Sequence, residues 1–169
     1  MLDLKERVEE ALTSLIGLPW LDTGRALDLQ WFGFGMREKP IVTELGTEIP
    51  YEYYVHLQCV FRLRGPDGII AASRDRYYPP GDWDDFPPDF DWHKGNRLDE
   101  RLRAFLESGD LPVRVQAVEA DAVGGFRLAL GSGCFLEVFP DDSFPEEYWH
   151  LLPKDQRRRH FVVTGLGTE

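Results

Sequence analysis

Cysteine is almost missing from this 169-residue chain: Cys59 and Cys134 are the only two. Neither their spacing nor their neighbours suggest a metal site or a nucleophile, so two buried free thiols in a reducing compartment are expected. Long apolar runs are absent too, none approaching the ~18 residues a membrane-spanning helix needs. Residues 1–17 form a charged amphipathic segment without the basic start and apolar centre of an export signal. A cytoplasmic protein is the expectation. Positive charge is the third scarcity, 19 Lys and Arg against 30 Asp and Glu for a formal net charge of -11. Such a surface repels phosphate backbones and anionic lipid, which argues against nucleic acid and membrane as partners and leaves a basic protein or a cation. HExxH, GxSxG, CxxC and a phosphate-cradling glycine loop do not occur. Gly33-Phe34-Gly35 and Gly165-Leu166-Gly167 lack the third glycine and following helix of a dinucleotide fingerprint. No catalytic residue, metal ligand or cofactor is assigned.

Aromatic residues are plentiful, with five Trp, six Tyr and eleven Phe, and the length suits one domain spanning 1–169. The organising stretch is 126–140, where two period-two runs flank Gly131-Ser132-Gly133 and predict a β-hairpin. Phe126, Leu128 and Leu130 share one face, as do Cys134, Leu136 and Val138. The other face, with Arg127, Ala129, Phe135, Glu137 and Phe139, is too apolar to be wholly wetted, so something should cover part of it.

Toward the N-terminus, Leu4, Val8, Ala11, Leu12, Leu15 and Ile16 make a helical stripe that Gly17 and Pro19 end. A strand is predicted over 26–34 with Gly33 and Gly35 as its turn, a short partner over 41–45, and one long strand over 53–63 with Val55, Leu57, Cys59, Phe61 and Leu63 inward. Gly65-Pro66-Asp67-Gly68 is a turn and 69–73 its return strand. Asn96 predicts an N-cap for a helix carrying Leu98, Leu102, Phe105 and Leu106. Strands follow over 113–118 and 161–164, with a turn over 121–125. Asp141 to Ser143 predicts the cap of a short helix over 145–152. The alternating, hairpin-rich strands predict an antiparallel α+β fold. Each half, 1–73 and 96–169, reads as a helix, a Leu-Pro step and a set of strands, so an internal repeat is one expectation.

Between the halves, residues 74–95 form a crossover too rich in Pro and Asp for helix or central strand and too aromatic for disorder. A charged cluster running into rigid rings is what binding patches are made of. The candidate partner surface is therefore Arg74, Asp75, Tyr78, Asp82, Trp83, Asp84, Asp85 and Trp92, set against the plain alternative of local ion pairs and rings that only cover the sheet. Asp89, Asp91, His93, Gly95 and Glu100 echo calcium-loop spacing, but Lys94 stands where glycine is needed and Pro87-Pro88 forbids an entering helix. Asp99 and Glu100 are better explained by the helix dipole. Histidines 56, 93, 150 and 160 look scattered, and His56 reads as a surface or loop-covered side chain rather than a general base. Asp141, Asp142, Glu146 and Glu147 read as an acidic helix cap rather than an acid/base pair.

Several segments resemble an uncharacterised family of small bacterial cytoplasmic proteins: Ile16-Gly17-Leu18-Pro19-Trp20, Ser73-Arg74-Asp75 with Tyr77-Tyr78-Pro79, Gly81-Asp82-Trp83, Gly124-Gly125-Phe126, residues 136–142, Glu147-Tyr148-Trp149 and residues 160–165. That family has no assigned activity, cofactor or catalytic residue, so the resemblance carries no site. In size, charge and layout the chain is also similar to the immunity proteins encoded beside toxins. The expected function is an acidic, immunity-like module docking onto a basic protein, with an enzyme or small-ligand binder using a carboxylate site as the alternative.

Overall fold

Asp3 opens the first helix, α1 (Leu4–Leu12), with a reciprocal cap: its carboxylate accepts from the Glu6 amide, and the Glu6 carboxylate accepts from the Asp3 amide. Val8, Leu12 and, one 3-10 turn further, Leu15 are buried. The computed structural model describes residues 2–81, 86–155 and 157–169. Strands β1 (Trp20–Ala26) and β2 (Leu29–Val42) make a hairpin about Leu27 and Asp28. The turn expected at Gly33 and Gly35 is not there, because β2 runs through both and on to Val42. A Cβ at Gly33 would lie 2.5 Å from the Tyr51 ring, and one at Gly24 2.5 Å from the Trp31 ring. These glycines are seats for cross-strand rings lying flat on the sheet. A turn over 43–47 leads into β3 (Glu48–Leu57).

The single long strand expected over 53–63 is two. The chain leaves β3 at Gln58 and Cys59 and enters β4 (Val60–Gly65) in a different sheet. Alternation survives the crossing because both sheets face one core, so Val55, Leu57, Cys59, Phe61 and Leu63 are all buried. The Pro66-Asp67 turn returns as β5 (Gly68–Ala72), and a 3-10 turn, Ser73–Tyr77, begins the crossover. The Asn96 side chain accepts from the Asp99 amide at 3.0 Å and starts α2 (Arg97–Glu107) where expected.

Residues 113–115 pair with 17–20 instead of opening a strand, so β6 (Ala117–Ala120) starts late. The hairpin of β7 (Phe126–Gly131) and β8 (Cys134–Phe139) is as predicted, its loop held by left-handed Gly131, Ser132 and Gly133. The helix expected over 145–152 is instead strand β9 (Glu147–Leu152). Its neighbours β3 and β10 (Phe161–Thr164) hydrogen-bond both of its edges, and pairing outweighs the local acid-first helix signal. A two-residue strand, β11 (Gly167–Thr168), ends the sheet.

The six-stranded sheet runs β1-β2-β3-β9-β10-β11 and the five-stranded one β5-β4-β8-β7-β6, an antiparallel α+β fold. Each side of the crossover gives a three-stranded meander to one sheet and its remaining strands to the other. Phe32 meets Phe61 edge-on at 5.5 Å and Phe126 meets Trp149 at 4.8 Å, each pair bridging the two sheets. Helix α2 packs on edge strands β1 and β5, and α1 on edge strand β6, so the helices close the flanks of the sandwich. The apolar outer face of the five-stranded sheet is covered by its own arginines. Arg64 and Arg127 lie over Phe135 and Arg62 over Phe139, while Glu137 accepts from both Arg62 and Arg64.

Candidate functional site

Asp75 closes the first turn of the crossover by accepting from the Ala72 amide at 2.9 Å, with Arg97 at 4.0 Å on its other oxygen. On this turn Arg74 is exposed and Arg76 is buried. At the far end, β1 holds the returning chain through Arg25. Its Nε donates to both Asp99 oxygens at 2.9 and 3.1 Å, its Nη2 donates to the Trp92 and His93 carbonyls at 2.8 and 2.9 Å, and its guanidinium sits over the Trp92 ring. Asn96 Nδ2 donates to the Trp92 carbonyl as well. Trp92 is half-buried, stacked on His93 and edge-on to Tyr77.

Of the eight candidate surface residues, Arg74, Asp75, Tyr78 and Trp92 fall on this anchored segment, while Asp82, Trp83, Asp84 and Asp85 lie outside the described residues. Asp75, Asp91, Asp99 and Glu100 are engaged within the chain, Asp91 by the His93 amide and ring and Glu100 by the Gly81 amide at 2.8 Å. The bond from His93 holds the Asp91 carboxyl below its usual range. What the segment turns outward is aromatic: Tyr77, Tyr78 and Phe86 are 51%, 40% and 49% exposed, with Tyr78 and Phe86 5.8 Å apart. The spacing that echoes a calcium loop does not become a cage. Among the described residues no group of three or more His, Cys, Asp or Glu is placed to hold a metal ion.

Two arrangements escape a reading of the residues. The first is a cleft of about 380 Å³ where the chain switches sheets, lined by Cys59, Ser73, Arg74, Arg76, Asp28 and Asp141. Cys59 is buried, and burial pushes its thiol up to about 12, with Asp141 and Asp142 adding to the rise, which disfavours the reactive thiolate at neutral pH. Cys134, also expected to be buried, is half-exposed. Asp141 does not cap a helix but accepts from the Val60 amide at 3.3 Å. Asp142 accepts from the Phe144 amide. Four chain segments meet in this cleft, and only the proximity of Arg74 to Arg76 is visible in sequence.

The second is a row of histidines on the outer face of the six-stranded sheet. His56 and His150 face each other across β3 and β9 with ring centres 4.5 Å apart, and His160 stacks on His150 at 5.6 Å. Glu147 accepts from Gln58 and holds His150 Nδ1 at 2.5 Å. Burial and then the neighbouring His150 lower His56 to about 4. Reading 145–152 as a helix hid this row, because only the pairing of β9 with β3 sets the rings side by side.

No protein-family model, curated protein or solved structure matches the chain. No helix among the described residues is long and apolar enough to cross a membrane.

Proposed function

We propose that the protein is a small acidic binding module that docks onto a basic protein partner through the crossover, in the manner of an immunity protein. The observation that carries this reading is that Tyr77, Tyr78 and Phe86 are all exposed on the crossover, Tyr78 beside Phe86 and Tyr77 edge-on to Trp92, whose carbonyl Arg25 and Asn96 hold. Rings braced against neighbouring rings have less freedom to lose on contact, which favours them as anchors. The net charge of -11 supplies long-range attraction for a basic partner and speeds encounter. The immunity-like part of the reading rests on size, charge and layout.

The test is kinetic. A partner isolated by affinity capture is purified, and association and dissociation are measured at low and high salt. A Tyr77→Ala, Phe86→Ala double variant should dissociate at least about tenfold faster, while salt should slow association of both proteins. Unchanged dissociation in the double variant would remove the crossover as the contact surface. A second reading, small-ligand binding, is favoured by one observation: Arg76 is buried with no carboxylate among the described residues within ion-pair distance.

A further inference from the structure

We propose that the cleft at the sheet switch binds a small zwitterion of the α-amino-acid type, its carboxylate held by Arg74 and Arg76 and its ammonium by Asp28 and Asp141. This deepens the small-ligand reading; the cleft shares Arg74 and Tyr77 with the crossover surface, and its test is read without a protein partner.

Arg76 is 7% exposed, and its partners are two backbone carbonyls: Nε donates to Ser73 at 2.9 Å and Nη1 to Asp28 at 2.7 Å. A guanidinium offers five N–H donors. No carboxylate among the described residues lies within ion-pair distance of it. Buried arginines are ordinarily paired, because removing the charge from water is costly unless an anion replaces the lost hydration. Burial accordingly makes Arg76 easier to deprotonate than an ordinary arginine. The cleft it lines is where an anion would restore the balance.

Arg74 stands two residues earlier on the same turn, lines the same cleft, and makes no hydrogen bond or ion pair among the described residues. Two guanidiniums on one short turn can hold a carboxylate from two sides. The remaining charges decide what kind of anion fits. Asp28 and Asp141 line the same cleft, and their negative charge disfavours a phosphate or plain dianion there. Asp28 has no side-chain partner among the described residues, and Asp141 commits one oxygen to the Val60 amide. A ligand with separated negative and positive ends satisfies all four groups, and the volume of about 380 Å³ suits a molecule of that size.

The test uses the isolated full chain, with thermal unfolding and calorimetric titration against glycine, leucine, glutamate and arginine, and with acetate, ethylamine and phosphate as controls. At least one amino acid should raise the unfolding midpoint in proportion to its concentration, as ligand linkage requires, and the three controls should not. Arg74→Ala and Asp141→Asn should each weaken that binding about tenfold or more, the loss of one charge-assisted contact. Arg74 is exposed, so its truncation leaves the carbonyl bonds of Arg76 in place. The proposal is overturned if no amino acid shifts the midpoint, if acetate or phosphate binds as well as any amino acid, or if binding survives both substitutions. A failure here leaves the docking reading standing, since that one is measured with the protein partner.

Discussion

Gly165 tolerates no side chain: a Cβ there would sit 1.9 Å from the Phe144 carbonyl oxygen, a backbone atom that cannot rotate aside. At Gly33 the obstacle is a Tyr51 ring that could swing away at the loss of its bond to Asp22, 2.7 Å long. Gly165→Ala should therefore be the more damaging of the two, lowering stability by roughly 2 kcal/mol or more against about 1 kcal/mol for Gly33→Ala. Urea unfolding of both variants checks the order, and equal losses would contradict it. His56 makes a second expectation. Its ordinary value of ~6.5 falls to about 4 in the folded chain, so between these values the unfolded state binds more protons. Stability should fall as pH drops from about 7 toward 4. His150, His160 and Glu147 face His56, the histidines opposing its charging and Glu147 favouring it. His56→Gln should flatten the fall in unfolding midpoint between pH 7 and pH 5, and an unchanged slope would acquit His56.

β9 shows how neighbours across space override neighbours along the chain. Asp141 to Glu147 place acids before a Tyr-Trp pair, which reads as a helix start, yet Trp149 and Leu151 point into the core while His150 faces outward. That is period two, and it settles into a strand because β3 and β10 supply both hydrogen-bonding edges. The amides of β3 and β9, in the middle of the six-stranded sheet, should be among the slowest to exchange with deuterium. Exchange of residues 147–152 as fast as that of the helix ends would refute the central position. Elsewhere local chemistry was enough. Asn96 capped α2, Pro66-Asp67 turned β4 into β5, and the two glycines around Ser132 closed the β7–β8 hairpin, each where the residues indicated.

The two sheets interlock the chain's halves, β3 meeting β9 in one and β4 meeting β8 in the other. Residues before the crossover thus have no complete sheet of their own, and neither do those after it. Fragments 1–95 and 96–169 should each be unfolded alone by circular dichroism and regain a cooperative transition when mixed. Cooperative unfolding of either fragment by itself would show that the interlock is not required. The Arg74–Arg76 cleft belongs to the same interlock, since its lining comes from the β1–β2 turn, the β3–β4 switch, the crossover and the segment after β8.

Caps, turns and alternation act over a few residues, and for that reason the residues announced them: both helices, the α+β class and the ring-rich crossover could all be read without coordinates. Nothing in the alternation of 53–63 marks the change of sheet at Gln58, because an inward-pointing Leu57 and an inward-pointing Phe61 look alike whichever sheet carries them. Backbone hydrogen bonds between strands leave no mark on residue type, so the choice of partner strand rested on how the whole core closed. That choice put three distant histidines in a row and brought a buried arginine and two aspartates to the lining of one cleft, the arrangements from which chemistry can follow.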